Sequence, residues 1–178
     1  MTDLSELQQL QEQEIHRDRI SQLYLGQVSD PETQRRARSR VDWIVKNVKG
    51  NKVFDIGCSE GITSIKLAEL GKSVDAIDIN PEVIEYAYNL AEKMLPSSHI
   101  PNFSVQDIFK LNRIDPNYDT VIMGEVLEHV YEPKKLFLRA SLSLKVRGQL
   151  ILTTPWGFFP APDHHQTFFI SNFIEMIP

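Results

Sequence analysis

The sequence predicts a doubly wound α/β domain, a parallel sheet with helices on both faces, preceded by N-terminal helices. Three observations lead there. From Lys49 onward, short apolar runs alternate with helical periods of roughly 10–15 residues, the texture of βαβ units. The first apolar run leads into a turn bounded by two glycines, Gly57-Cys58-Ser59-Glu60-Gly61. Acidic residues stand at the ends of three successive runs, at Asp55, Asp78 and Asp107.

Composition sets the outer bounds. The chain has 178 residues, enough for one ordinary domain, with 42% hydrophobic and 24% charged residues. A formal charge of -5 and a pI near 5.5 argue against a protein that coats nucleic acid or a membrane surface, while leaving a local basic patch open. Cys58 is the single cysteine, so there is no internal disulfide framework and a reducing cytoplasm is expected. No apolar run approaches the roughly 18 residues of a membrane span. The opening MTDLSELQQLQEQE is polar and acidic, where a secretory signal is basic and then apolar.

The first 25 residues carry a loose helical period through Leu4, Leu7, Leu10, Ile15, Ile20 and Leu23. Gly26 breaks it. Asp30 as N-cap and Pro31 as first helical residue then predict a helix to about Val48, buried through Val41, Ile44, Val45 and Val48. Its basic cluster, Arg35, Arg36, Arg38 and Arg40, reads as a solvated face. Residues 1–48 thus form a helical segment on the core, and 49–178 the main domain. Strands are expected at 53–56, 73–78, 103–106, 118–123 and 149–153, with helices at 62–70, 81–94 and 133–144.

In such sheets ligands bind beyond the carboxyl ends of the strands. At the first end, Gly57 and Gly61 allow a sharp turn into a helix and close approach of a ligand. The dinucleotide pattern G-x-G-x-x-G fails, because Ser59 and Ile62 occupy its second and third glycine positions, and no Gly-Lys-Ser/Thr follows. Asp78 is placed to accept from both ribose hydroxyls of an adenosine, or to cap the helix after it, although Asn80 makes the better cap. Asp107 can accept from an adenine amino group, with Ile79 and Ile108 on the two sides of the ring.

The ordered runs VFDIGCSEG, VDAIDINPEVIEYA, VQDIF, YDTVIMGEVLEHV and GQLILTTP resemble class I S-adenosylmethionine-dependent methyltransferases, over about Val53 to Pro155. Ser59 replaces the middle glycine of that family's first motif. The resemblance implies a Rossmann-like sheet normally of seven strands. It also implies that Asp55, Gly57, Cys58, Ser59 and Gly61 flank the methionine moiety of S-adenosylmethionine. Asp78 would then hold the ribose and Asp107 the adenine, between Ile79 and Ile108, with Glu125 meeting the cofactor from the fourth strand.

The fourth strand ends in Gly124-Glu125-Val126-Leu127-Glu128-His129-Val130. If this loop enters a helical turn, Glu125, Glu128 and His129 converge as ligands for Mg²⁺ or another divalent ion, or His129 acts alone as a general base. The stretch is similar to the E-x-x-E-H segment of quinone-pathway O-methyltransferases and of small-RNA 3′-terminal 2′-O-methyltransferases. Both imply a metal on those three residues. The RNA group expects a histidine where Val130 stands and uses a later one, for which His164 or His165 would serve. A small-molecule acceptor with oxygen as methyl acceptor, RNA as acceptor, and cofactor binding without catalysis all stay open, as does the oligomeric state.

Aromatic residues crowd the tail: Trp156, Phe158, Phe159, Phe168, Phe169 and Phe173, around Pro162-Asp163-His164-His165-Gln166. They read either as an acceptor pocket with a histidine aimed at the methyl or, for the last three phenylalanines, as packing. Only the 24 residues from Pro155 to Pro178 lie beyond the fifth-strand run ending in Thr154, whereas a helix and two more strands need roughly 35–50. The sheet is therefore expected to lack its last two strands, and the chain to be a fragment or a shortened gene product.

Overall fold

Asp30 and Asn80 each accept a hydrogen bond from the backbone N–H two residues on, at 3.1 and 2.9 Å, and each precedes a proline. These caps start two of the longest helices of the chain. The computed structural model describes residues 20–28, 30–157 and 164–176. Its elements in order are α1 (Ile20–Leu25), α2 (Pro31–Asn47), β1 (Lys52–Ile56), α3 (Ile62–Glu69), β2 (Ser73–Asp78) and α4 (Pro81–Met94). There follow β3 (Asn102–Val105), β4 (Tyr118–Gly124), α5 (Pro133–Ser141), β5 (Leu144–Thr153) and α6 (Ile170–Met176).

The five strands are all parallel, in the order β3-β2-β1-β4-β5. Side chains alternate across the pleat, so one strand feeds both faces. Val53 joins Ile44, Leu67, Ile84 and Ile122 in the layer under α2, α3 and α4. Phe54 and Ile56 join Val121, Met123, Leu136 and Met176 under α5 and α6. That two-sided burial is why the strands read as near-continuous apolar runs. α1 packs on α2 and on the start of α3 through Ile20, buried with Ala37, Val41 and Ile62.

Two element boundaries differ from expectation. The helix expected to reach about Leu144 ends at Ser141, and β5 starts five residues before Gln149. Arg147 at φ +67° followed by Gly148 takes up the excess: Tyr118 pairs with Leu144, and Thr120 already with Gln149. Near the end of the chain α6 starts at Ile170, three residues before Phe173. Among the described residues no strand follows β5, so the sheet has five strands, two fewer than the family's usual seven. No helix there is long and apolar enough to cross a membrane. The early leucines Leu4 to Leu10, Ile15, Phe158, Phe159, Pro162 and Asp163 lie outside the described residues.

Candidate functional site: a cleft at the carboxyl ends of β1, β2 and β4

The chain leaves β1 through three left-handed residues in five positions: Gly57 at φ +71°, Ser59 at +48° and Gly61 at +75°. The N–H groups of Gly57 and Cys58 donate to the Ile77 carbonyl at 2.8 and 3.0 Å, which turns the loop over the end of β2. A cleft of about 430 Å³ opens there, floored by Gly57 and Ser59 and walled by Asp78, Asp107, Glu125 and His129. A Cβ on Gly57 would lie 2.6 Å from Val126 Cγ2 at a φ of +71°, so position 57 favours glycine.

Asp78 is oriented by two backbone donors. Ser59 N–H reaches Oδ2 at 3.0 Å and Asn80 N–H reaches Oδ1 at 2.9 Å. Asp107 accepts from Phe109 N–H at 2.8 Å and faces Lys110 at 3.4 Å. Ile79, 72% exposed, and the buried Ile108 both line the cleft. Carboxylates with spare lone pairs beside apolar walls and a floor of small residues fit an adenosine with a short polar tail.

Three of the expected cofactor residues lie beside this cleft instead of in it. Asp55 and Cys58 line a small adjoining cavity of about 30 Å³, which Gly57 and Ser59 share. Asp55 is buried and accepts from Ser64 Oγ at 2.6 Å; burial pushes its carboxyl up to about 6, and the charge of Asp78 adds to the rise. Burial also pushes the Cys58 thiol up, which leaves it a packing group. Gly61 serves packing: a Cβ there would sit 2.8 Å from Ala87 Cβ and the Phe103 ring.

The expected metal set is regrouped. Glu125, at φ +57°, turns its carboxylate to Arg40, 2.9 Å away. Glu125 lies before the 3₁₀ turn of Leu127–His129, and its left-handed backbone sends its carboxylate to Arg40 instead of toward Glu128. Instead Glu128, His129 and His164 each offer a ligand atom, all within 4.8 Å of one another. Glu128 is buried; its Oε2 accepts from Thr154 Oγ1 at 2.9 Å, and Oε1 has no hydrogen-bond partner among the described residues. Burial pushes its carboxyl above the ordinary value. The rings of His129 and His164 meet edge to face at 5.0 Å.

His165 stands apart. Its N–H donates to the Glu128 carbonyl at 2.8 Å, and its ring stacks on Tyr131 at 4.0 Å. It tethers the tail to the 3₁₀ turn and so brings His164 in. One carboxylate with two imidazoles suits a transition-metal divalent ion better than Mg²⁺, which prefers oxygen.

Arg40 is the site residue that the reading of a solvated face overlooks. Arg35 and Arg36 do pair with exposed Glu32, and Arg38 donates to the Tyr24 carbonyl at 2.7 Å. Arg40, however, lies three residues after buried Ala37 and four before buried Ile44. That spacing places it at the edge of the buried stripe. Of the tail aromatics, Phe168 is buried and stacks on Phe173 at 5.5 Å, as packing residues do. Phe169 stays half exposed beside Trp156, with ring centroids 6.4 Å apart.

A family model described as a methyltransferase domain matches residues 47–175. The ubiquinone biosynthesis O-methyltransferase of Xanthomonas campestris pv. campestris is 35% identical over 118 residues, 65% of this chain and 48% of that protein. Its counterpart from Coxiella burnetii is 32% identical over 107 residues, 60% and 44% of the two chains. The chain thus spans about half the length of the curated relatives it matches. The magnesium protoporphyrin IX methyltransferase of Synechocystis PCC 6803 with bound S-adenosylhomocysteine superposes with a TM-score of 0.71 at 25% identity. That match covers 89% of this chain and 80% of the other. A putative methyltransferase from Bacillus halodurans C-125 shares the fold, with a TM-score of 0.67 at 19% identity over 78% and 65% of the chains. The chain belongs to the methyltransferase-domain family, within the class I S-adenosylmethionine-dependent methyltransferases.

Proposed function

We propose that this chain binds S-adenosylmethionine in the cleft and transfers its methyl group to an oxygen of a small-molecule acceptor. One juxtaposition carries the reading. Asp78 and Asp107 flank one part of the cleft, and His129, beside Glu128 and His164, bounds another. In this reading Asp78 holds the ribose hydroxyls, Asp107 the adenine amino group, and Ile79 and Ile108 the faces of the ring. Asp55 keeps the glycine loop in order from behind.

When bound, the cofactor supplies an electrophilic methyl on a sulfonium and needs little chemical help. The chain's own task is to hold the acceptor oxygen in line and to take its proton. His129 is the proposed proton acceptor, an imidazole that lines the cleft. His164 orients its ring, and His165 holds the tail in place. In the metal-bound alternative, Glu128, His129 and His164 would hold a divalent ion that polarises the acceptor hydroxyl, and His129, then a ligand, would no longer take the proton. Glu125 is reassigned to the Arg40 pair. The O-methyltransferase relatives support an oxygen acceptor.

We also read α1 and α2, the described part of the segment before residue 49, as a helical cover on the domain that follows, and the single buried Cys58 as fitting a reducing cytoplasm. The test is transfer of labelled methyl from S-adenosylmethionine to a panel of phenols, enediols and a short RNA, with and without EDTA. Labelling of a phenol or enediol supports the proposal. Labelling of the RNA 2′-hydroxyl alone moves the acceptor to RNA, and cofactor binding with no product on any acceptor favours a non-catalytic binding domain.

A further inference from the structure

We propose that Ser21 of α1, through Glu60, is a positioning residue that holds the cofactor loop in its binding shape. The inference rests on the cofactor reading above. Ser21 and Glu60 are both fully buried and lie 39 residues apart. Glu60 Oε2 accepts from the Ser21 N–H at 3.0 Å and from the Ser21 hydroxyl as well. α1 is itself pinned: Ile20 is buried against α2 and Ile62, Tyr24 Oη donates to Asp42 at 2.8 Å, and Arg38 donates to the Tyr24 carbonyl.

Glu60 is the neighbour of the one residue in this loop whose backbone works against it. Gly57 and Gly61 adopt positive φ without a side chain in the way, whereas Ser59 at φ +48° carries a Cβ. Such a conformation persists only where the surroundings over-determine it. The Ser59 N–H donates to Asp78 Oδ2 at 3.0 Å, and Ser59 lines both the cleft and the small cavity behind it. The chain of contacts therefore runs from Ser21 to Glu60, through the strained backbone of Ser59 to its N–H, and on to the Asp78 carboxylate that faces the ribose position. Two donors from Ser21 help to keep the Glu60 carboxylate inside; with the hydroxyl gone the Ser59 backbone gains freedom, and its N–H spends less time on Asp78.

The test is calorimetric titration of the whole chain with S-adenosylhomocysteine. Ser21→Ala should raise Kd at least threefold, while Ser21→Thr, which keeps both donors, stays within twofold of the parent. In a Ser59→Gly background, where the backbone holds left-handed φ unaided, Ser21→Ala should change Kd less than 1.5-fold. A purely structural role for Ser21 would not vanish on that change at residue 59. If circular dichroism shows Ser21→Ala unfolded, Glu60→Met, which removes the acceptor at similar length, is read in the same two backgrounds, with the same factors expected. Equal Kd for the parent and Ser21→Ala, or an equal loss in the Ser59→Gly background, overturns the proposal and leaves the cofactor reading standing. A parent that binds no S-adenosylhomocysteine overturns both.

Discussion

Asp55→Asn should make the free protein more stable above pH 6 and leave it nearly unchanged near pH 4. Asp55 lies on β1 between Ala76 of β2 and Ile122 of β4, 3% exposed, with Ser64 Oγ at 2.6 Å as donor. Burial lifts its carboxyl from 3.8 to about 6. A folded-state value above the unfolded one means that folding takes up a proton in that window. Stability is then fully present below about pH 4, falls as pH rises, and is lowest above about 6. At about 1.4 kcal/mol per tenfold change, the shift amounts to about 3 kcal/mol as an upper figure. Asparagine has the same shape, keeps an acceptor for Ser64 and carries no charge to bury. Urea unfolding of both proteins at pH 4, 5, 6 and 7.5 isolates the effect, because titrating groups that do not interact with Asp55 cancel in the difference. The difference should grow from near zero to about 2–3 kcal/mol in favour of the Asp55→Asn variant. A difference that is flat with pH, or a variant less stable at pH 7.5, would refute the burial argument.

Further expectations follow from the same geometry. Gly57→Ala puts a Cβ 2.6 Å from Val126 Cγ2 at a φ of +71°, so it should cost about 2 kcal/mol and lower Tm by about 4–8 °C by differential scanning calorimetry. Glu128→Gln should abolish saturable Mn²⁺ binding followed by electron paramagnetic resonance, while Glu125→Gln leaves it within threefold. Equal losses in the two would restore Glu125 to the metal set. A double-mutant cycle of Arg40→Met and Glu125→Gln should return about 0.5–1 kcal/mol of coupling for this partly exposed pair. A coupling near zero would make the contact incidental.

The fold was legible because its signals were local. Asp30-Pro31 and Asn80-Pro81 each mark a helix start, and buried parallel strands such as Val53–Ile56, broken only by Asp55, and Val121–Met123 read as near-continuous apolar runs. The aspartates at the strand ends were legible for a related reason: parallel strands bring their carboxyl ends to one edge, so position in sequence implies position in space. What escaped depended on contacts between distant segments. Whether Glu125 or His164 joins Glu128 and His129 is decided by the left-handed backbone of Glu125, which turns it to Arg40, and by the tail tether through His165. Arg40 was misread because a run of arginines looks uniform, although its helical phase toward Ala37 and Ile44 set it apart. The early start of β5 was hidden by a bulge at Arg147-Gly148, which has no periodic signature.

The central claim is that the cleft at the ends of β1, β2 and β4 holds S-adenosylmethionine through Asp78. Calorimetric titration of the parent chain and of Asp78→Ala with S-adenosylmethionine tests it most directly. The account predicts saturable binding by the parent and at least a tenfold weaker Kd for the variant, since two hydrogen bonds to a charged group are lost at about 1.5–3 kcal/mol each. No binding by the parent at about 1 mM cofactor, or equal affinity in the two proteins, would contradict it.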